Sequence, residues 1–254
     1  MIKFFRKIRL KLLAENRFSK YLIYALGEII LVVIGILIAL QINNWNLEKQ
    51  DEIFEEKIIR ELKTSIENDL KLFNYLEYRI RRKDGAIDSL LLVREGKLDL
   101  KERKLRNLHG WSRVAIELSF DKATFETLKN KGIQKLKTDS LRKEIMRFYE
   151  VFLPVRKIFI NDIYNEDQPK LDQVEEDLKE IKFQEDYFEL QTDSTYFIRT
   201  KYDFEKINHP IYYKYLLLQA RNKKSYWGRI RGTIEHTEKI LSLLNQEIET
   251  RFQD

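Results

Sequence analysis

Protein chemistry needs particular side chains at particular spacings, and here the supply is thin. The 254 residues contain three histidines, His109, His209 and His236, and no cysteine. There is no H-E-x-x-H and no E-x-x-H, so a zinc or di-iron site built on imidazole has no ligands at a workable spacing. The lack of cysteine removes a disulfide framework, a thiolate metal site and a cysteine nucleophile. G-x-S-x-G, a Walker A loop and G-x-G-x-x-G are absent. Carboxylates do cluster, as in Glu55-Glu56 and Glu175-Glu176-Asp177. Side by side on helices they read as solvated faces, because acid/base catalysis needs two carboxyl groups facing each other across a cleft. The expectation is a protein that is not an enzyme, with no catalytic residue, no metal and no cofactor.

Binding has better candidates. Residues 165–189 carry ten acids against three bases, while 206–234 carry seven bases and no acid. Within PIYYKYLLLQARNKKSYWGRIRG, the cations Lys214, Arg221, Lys223, Lys224, Arg229 and Arg231 alternate with Tyr212, Tyr213, Tyr215, Tyr226 and Trp227. Two readings stand. The acidic and basic segments pack together and partly neutralise each other, or the strip meets an anionic partner such as lipid headgroups, glycans or an acidic protein.

The elements that must position these residues are helical. Eight Gly and three Pro fall far below the roughly 7% and 5% of average chains, which argues against turn-dense sandwiches and barrels and for an all-α fold. A formal net charge of +6 raises the question of nucleic acid, but the charge is not spread along the chain. Residues 1–20 hold seven basic side chains against Glu15, and the 214 residues after Leu40 hold 40 basic and 39 acidic ones. A near-neutral body is not a nucleic-acid-binding surface.

After the basic arm comes YLIYALGEIILVVIGILIAL, Tyr21 to Leu40, in which Glu28 is the one ionisable carboxylate or amine. As a helix at about 1.5 Å per residue it is about 30 Å long, the thickness of a hydrocarbon core. The exit reads Ala39, Leu40, Gln41, Ile42, Asn43, Asn44, Trp45, without the small-residue cleavage pattern of a signal peptide, so an uncleaved signal anchor over 21–42 is expected. The positive-inside rule places arm 1–20 in the cytoplasm and 43–254 outside the inner membrane, in the periplasm of a diderm cell. Tyr21, Tyr24 and Trp45 are expected in the interfacial belts. Lys3, Arg6, Lys7 and Lys11 surround an apolar stripe of Ile2, Phe5, Ile8 and Leu12, the pattern of a helix lying on anionic lipid.

Glu28, Gly35 and Ala39 are seven and four residues apart and share one helix face. Gly35 and Ala39 form a small-xxx-small pair, so this face can pack on a second copy or on a partner's transmembrane helix, with Glu28 bonding across. In the other reading the span starts at Ile29 and Glu28 sits at headgroup level.

The run GEIILVVIGILIALQINNWN, preceded by RKIRLKLLAENRFSKYLIYALG, resembles the start of a family of uncharacterised single-pass membrane proteins common in Bacteroidota, a domain-of-unknown-function group. FDKATFETLKNKGIQKLKTDSLRKEIMRFYE is similar to that family's second recurrent block. The resemblance implies a membrane-anchored helical ectodomain and no activity.

Beyond the span, Ile59, Leu62, Ile66, Phe73, Leu76, Ile80, Ile87 and Leu90 step by three, four or seven, a heptad-like seam whose missing positions fall on Asp69 and Lys83. A bend at Asp84-Gly85 is expected. Helices are predicted over 105–118, over KATFETLKNK with Asp121 as N-cap and Gly132 as terminator, and from Asp139 onward with a kink at Pro154. That last face carries Leu141, Ile145, Phe148, Phe152, Ile158 and Phe159. Residues 171–183 read as a short acidic helix, 184–208 as irregular with an extended piece near Tyr196 to Ile198, and 210–252 as one long helix. The expected architecture is an N-terminal amphipathic helix, one transmembrane helix and a helical-bundle ectodomain. The expected role is a non-enzymatic interaction or scaffold protein of the cell envelope, self-associating or holding a partner membrane protein. A sensor acting through a partner is the alternative, and a membrane-anchored enzyme without a recognisable motif the second alternative.

Overall fold

The computed structural model describes residues 18–190, 196–221 and 223–252. They form an all-α protein with one hairpin. The helices are α1 (Phe18–Arg94), α2 (Glu102–Ser112), α3 (Ala123–Lys131), α4 (Asp139–Arg147), α5 (Leu153–Glu180), α6 (Pro210–Ala220) and α7 (Lys223–Arg251). The strands β1 (Gln184–Leu190) and β2 (Tyr196–Tyr202) lie between α5 and α6. The chain divides into two compact units, Met1–Glu56 and Lys57–Asp254.

In the first unit, the α1 side chains from Ile29 to Gln50 are exposed all round. In the second, α1 buries one stripe. All eight predicted seam residues are at most 5% exposed, and Asp69 (1%) and Lys83 (8%) occupy the two gaps between them. The ten positions therefore form an unbroken 3-4 repeat, each apolar member contributing about 1.5–3 kcal/mol of burial. The helix runs straight through Asp84 and Gly85, contrary to the expected bend, because Asp84 Oδ2 accepts a 2.6 Å bond from Trp227 Nε1 of α7, and the neighbours Ala86 and Ile87 are buried. Gly96, at φ +68°, ends α1 by donating to Val93 O (3.0 Å) while Lys97 N reaches Leu92 O (2.9 Å), a Schellman turn that glycine favours.

Several elements depart from the expectation for physical reasons. Helix α2 stops at Ser112 rather than near Leu118, because the following backbone finds other partners. Val114 O and Ala115 O accept from Lys83 Nζ and Arg79 Nη2, and Leu118 N and O both bond the side-chain amide of Asn161. Gly132 ends α3 as expected, at φ +108°. Asp121 sits one residue before the N-cap position, Lys122, yet its Oδ1 accepts from Ala123 N at 2.8 Å. Asp139 is the first residue of α4, and Thr138 takes the cap position.

Before Pro154 the chain forms a π turn, Phe148–Phe152, inside a helix that continues on both sides, and this widened turn accommodates the hydrogen bond that Pro154 cannot donate. A π turn inserts one residue into the helical phase. The buried face therefore passes from Leu141, Ile145 and Phe148 to Leu153 and Ile160, leaving Ile158 and Phe159 exposed against expectation. Helix α5 continues through Pro169, so 171–183 is not a separate helix.

Strands β1 and β2 pair antiparallel with Phe188 opposite Ile198 and Tyr187 opposite Arg199, extending the short expected segment into a hairpin. The final helix is two helices. Helix α6 closes at Arg221, whose N–H donates to Leu218 O at 3.2 Å, and α7 begins at Lys223. The core behind the hairpin gathers Leu90, Leu105, Leu171, Leu178, Phe183, Tyr212 and Tyr215 from five segments.

Candidate functional site

Among the described residues, one helix is long and apolar enough to cross a membrane. Its most apolar stretch has mean hydropathy 2.6, and none of that stretch is buried. Gly35 and Ala39 are exposed there, Glu28 is half-buried, and a Cβ added at Gly35 would meet no atom within 4 Å. Trp45 is exposed. Tyr21 and Tyr24 lie on the α1 backbone, but their side chains, like Lys3, Arg6, Lys7 and Lys11, lie outside the described residues.

Several cations of the basic strip have partners within the protein. Lys214 lies 3.8 Å from Asp177, Arg221 lies 2.8 Å from Asp167 and 3.8 Å from Glu166, and Lys223 lies 2.7 Å from Asp88. Arg229 covers the Phe159 ring at 4.6 Å, while Lys224 and Arg231 stand exposed. Lys214 and Arg221 thus meet acids of the 165–189 segment, as the neutralising reading expects, while Lys224 and Arg231 face solvent.

What the strip's segments do build is a cavity of about 230 Å³. Helix α5 supplies Tyr164, Asp167, Gln168, Leu171 and Glu175, which recur at helical spacing along one stripe. Arg113 enters from the end of α2, Leu218 and Gln219 from α6, Tyr226 from α7, and Lys83 from the seam of α1. Arg113 Nη2 donates to Glu175 Oε2 at 2.8 Å and its Nη1 to Tyr202 Oη at 3.3 Å. Asp167 accepts from Arg221 at 2.8 Å and from Lys170 at 3.5 Å. Both carboxylates bordering the cavity therefore have a cation of their own.

Lys83 is different. Its Nζ donates to Gln219 Oε1 at 2.7 Å and to Val114 O at 3.0 Å, both neutral oxygens. Burial pulls its ammonium down from the ordinary 10.5 to about 8, with Asp84, next in the chain, opposing that shift and Arg79 adding to it. Burial also pushes the Tyr226 and Tyr164 phenols up, so both remain protonated donors.

Two further buried polar groups lie elsewhere. His109 sits in a box of Phe183, Tyr202, Phe204, Tyr212 and Tyr215 rings, with Nδ1 3.2 Å from Tyr212 Oη. Desolvation drives its pKa to about 3, so it is a neutral core residue. Asp69 Oδ1 accepts from Asp121 N at 3.1 Å, and burial raises its pKa to about 6. Its Oδ2 is buried without a partner, and Ser65 Oγ and Tyr149 Oη, buried close to each other, make no hydrogen bond of normal geometry. His209 caps α6, its Nδ1 accepting from Ile211 N at 3.3 Å, and His236 stacks on Phe152 at 4.1 Å. The three imidazoles do not converge.

A family model described as "Family of unknown function (DUF6090)" matches residues 28–177. The chain belongs to this family. The DUF6090 match takes in the first of the two blocks that carried the resemblance from Glu28 onward and the whole of the second, leaves out residues 1–27, and ends within α5. It includes Lys83, Arg113 and the α5 stripe, while Gln219 and Tyr226 lie beyond it. No curated protein and no solved structure matches the chain.

Sequence reasoning did not find the cavity. Two signals pointed to it. A lysine occupies a core position of a seam that is apolar but for it and Asp69, and α5 carries polar residues at 164, 167, 168 and 175 around Leu171.

Proposed function

We propose that this chain is a single-pass membrane protein whose helical body binds a partner or a small ligand and carries out no reaction of its own. The observation that carries the reading is the surface of α1 between Ile29 and Leu40, apolar on every side and buried nowhere. In water that surface is strongly unfavourable, and a bilayer removes the cost. On this reading arm 1–20 lies on the cytoplasmic face against anionic lipid through Lys3, Arg6, Lys7 and Lys11, and the body lies on the other side of the cell's inner membrane. The Glu28, Gly35 and Ala39 face supplies the contact with a second copy or a partner helix. Nucleic acid is not the partner, because the charge outside the arm is balanced.

The cavity beneath Lys83 favours one second reading, an extracytoplasmic sensor whose bound ligand alters the body and is reported through a partner helix. Crosslinking in native membranes, followed by identification of what co-purifies, tests the binding role. A reproducible second protein, or self-crosslinks lost in the Glu28→Gln, Gly35→Leu double variant, supports it. A chain that crosslinks to nothing and carries no bound small molecule by native mass spectrometry contradicts it.

A further inference from the structure

Resting on the reading of the body as a binding module, we infer that the cavity beneath Lys83 takes a small organic monocarboxylate, held by the Lys83 ammonium. Charge accounting carries the assignment. Asp167 and Glu175 are each met by a cation at 2.8 Å, so neither needs a ligand and neither is left to repel an anion. The Lys83 ammonium has three hydrogens and two hydrogen-bond partners, both uncharged. A buried cation with neutral partners is stabilised by an anion that completes its hydrogen bonds and its charge.

The size and polarity of the site narrow the class. About 230 Å³ lies below the roughly 300–1,000 Å³ of pockets for drug-sized ligands, so the ligand is small. Gln168, Gln219, Tyr164 and Tyr226 offer amide and hydroxyl groups, whereas apolar lining comes from Leu171 and Leu218. A carboxylate carrying a hydroxyl or amino group uses that wall better than a hydrocarbon acid does. Phosphate fits worse: its second charge has no uncommitted cation, since Arg113 is bound to Glu175.

The titratable and charged groups that act on Lys83 or border its cavity are Arg79, Asp84, Arg113, Tyr164, Asp167, Glu175 and Tyr226, and burial holds both phenols protonated. Asp84 is bonded to Trp227, the other two acids are ion-paired, and the two arginines stay charged throughout. Between pH 7 and 9.5 the group among these that changes charge is therefore Lys83. Anion binding should weaken as pH rises through about 8, by up to tenfold per unit.

The test uses the full chain in lipid nanodiscs, with titration calorimetry and thermal unfolding against glycolate, lactate, glycine, acetate and inorganic phosphate. Expected are saturable binding of glycolate or lactate at pH 7, weaker binding of acetate and none of phosphate. Affinity should fall at least tenfold in Lys83→Met and be unchanged in Lys71→Met, which alters an exposed lysine outside the cavity. No saturable monocarboxylate binding, equal affinity in Lys83→Met, or phosphate binding as tightly would each overturn the assignment. If Lys83→Met does not fold, the wild-type profile decides: affinity independent of pH between 7 and 9.5 overturns it. A partner recovered by crosslinking alongside no carboxylate binding would remove this ligand while leaving the binding-protein reading in place.

Discussion

Residues 25–42 and 57–94 belong to one hydrogen-bonded helix, yet their side chains follow opposite rules. The first stretch, Glu28 and Gln41 aside, is apolar on every face, and from Ile29 onward it is exposed. The second confines its apolar residues to a 3-4 stripe, buries that stripe, and surrounds it with Lys, Arg, Glu and Asp. Backbone hydrogen bonding is the same in both, so what differs is the solvent each sequence is written for. A one-sided helix finds its apolar partner within the protein, and an all-sided one needs an apolar medium.

The comparison can be broken most severely in the first stretch. Replacing Val33 and Leu37 together by Asp puts two carboxylates near the middle of the apolar helix, each at about 2.5–3.5 kcal/mol on insertion scales. The variant should leave the carbonate-resistant membrane fraction. Charges placed on exposed positions of 57–94 should leave that fraction unchanged.

Next in size is the seam. Phe73 is 1% exposed, and Phe73→Ala should lower unfolding stability by about 3–5 kcal/mol, read from the denaturant midpoint. Membrane association, which the proposed reading assigns to the other stretch, should not change.

The two polar seam positions sharpen the comparison, since each titrates differently from its unfolded value. Asp69 is raised from 3.8 to about 6 by burial, so the folded state holds its proton more tightly. Stability should therefore fall as pH rises from about 4 to 6 and stay level above that. Asp69→Asn should remove this slope and raise stability at pH 7 by on the order of 1 kcal/mol, about 2–4 °C in melting temperature for a chain of this size. Lys83 runs the other way along the pH axis. Lowered to about 8, it should make the protein more stable as pH rises from 8 to 10.5, and Lys83→Met should abolish that rise.

The smallest effect is expected at the surface. Lys223→Ala breaks the 2.7 Å pair with Asp88, and the loss should stay within about 0–1 kcal/mol, shrinking with added salt.

Much of the fold was legible because burial writes a period into sequence. The eight apolar seam residues and the Gly132 terminator follow from spacing and from glycine's access to positive φ. The misreadings share a cause, which is that tertiary partners overrode local rules. Helix α2 ended early because side chains of α1 and α5 took the carbonyls beyond it. The π turn shifted the buried face away from Ile158 and Phe159, and no composition signal marks one extra residue in a helical phase. Helix α5 ran through Pro169 because residues beyond it, Leu171, Val174 and Leu178, bury with the same face. The cavity was the least legible feature. Its lining comes from segments as far apart as Lys83 and Tyr226, and only the α5 stripe leaves a periodic trace. The acidic and basic segments were visible as a contrast, but which cation met which acid required the fold.

The central claim is that 21–42 separates two aqueous compartments with the basic arm inside. The absence of native cysteine makes a direct measurement possible with single-cysteine variants Asn16→Cys and Gln50→Cys in cells whose outer barrier is permeabilised but whose inner membrane is intact. A membrane-impermeant maleimide should label Gln50→Cys at once and Asn16→Cys only after the inner membrane is broken. Equal labelling of both positions before lysis, or recovery of the chain in the soluble fraction, would contradict the account.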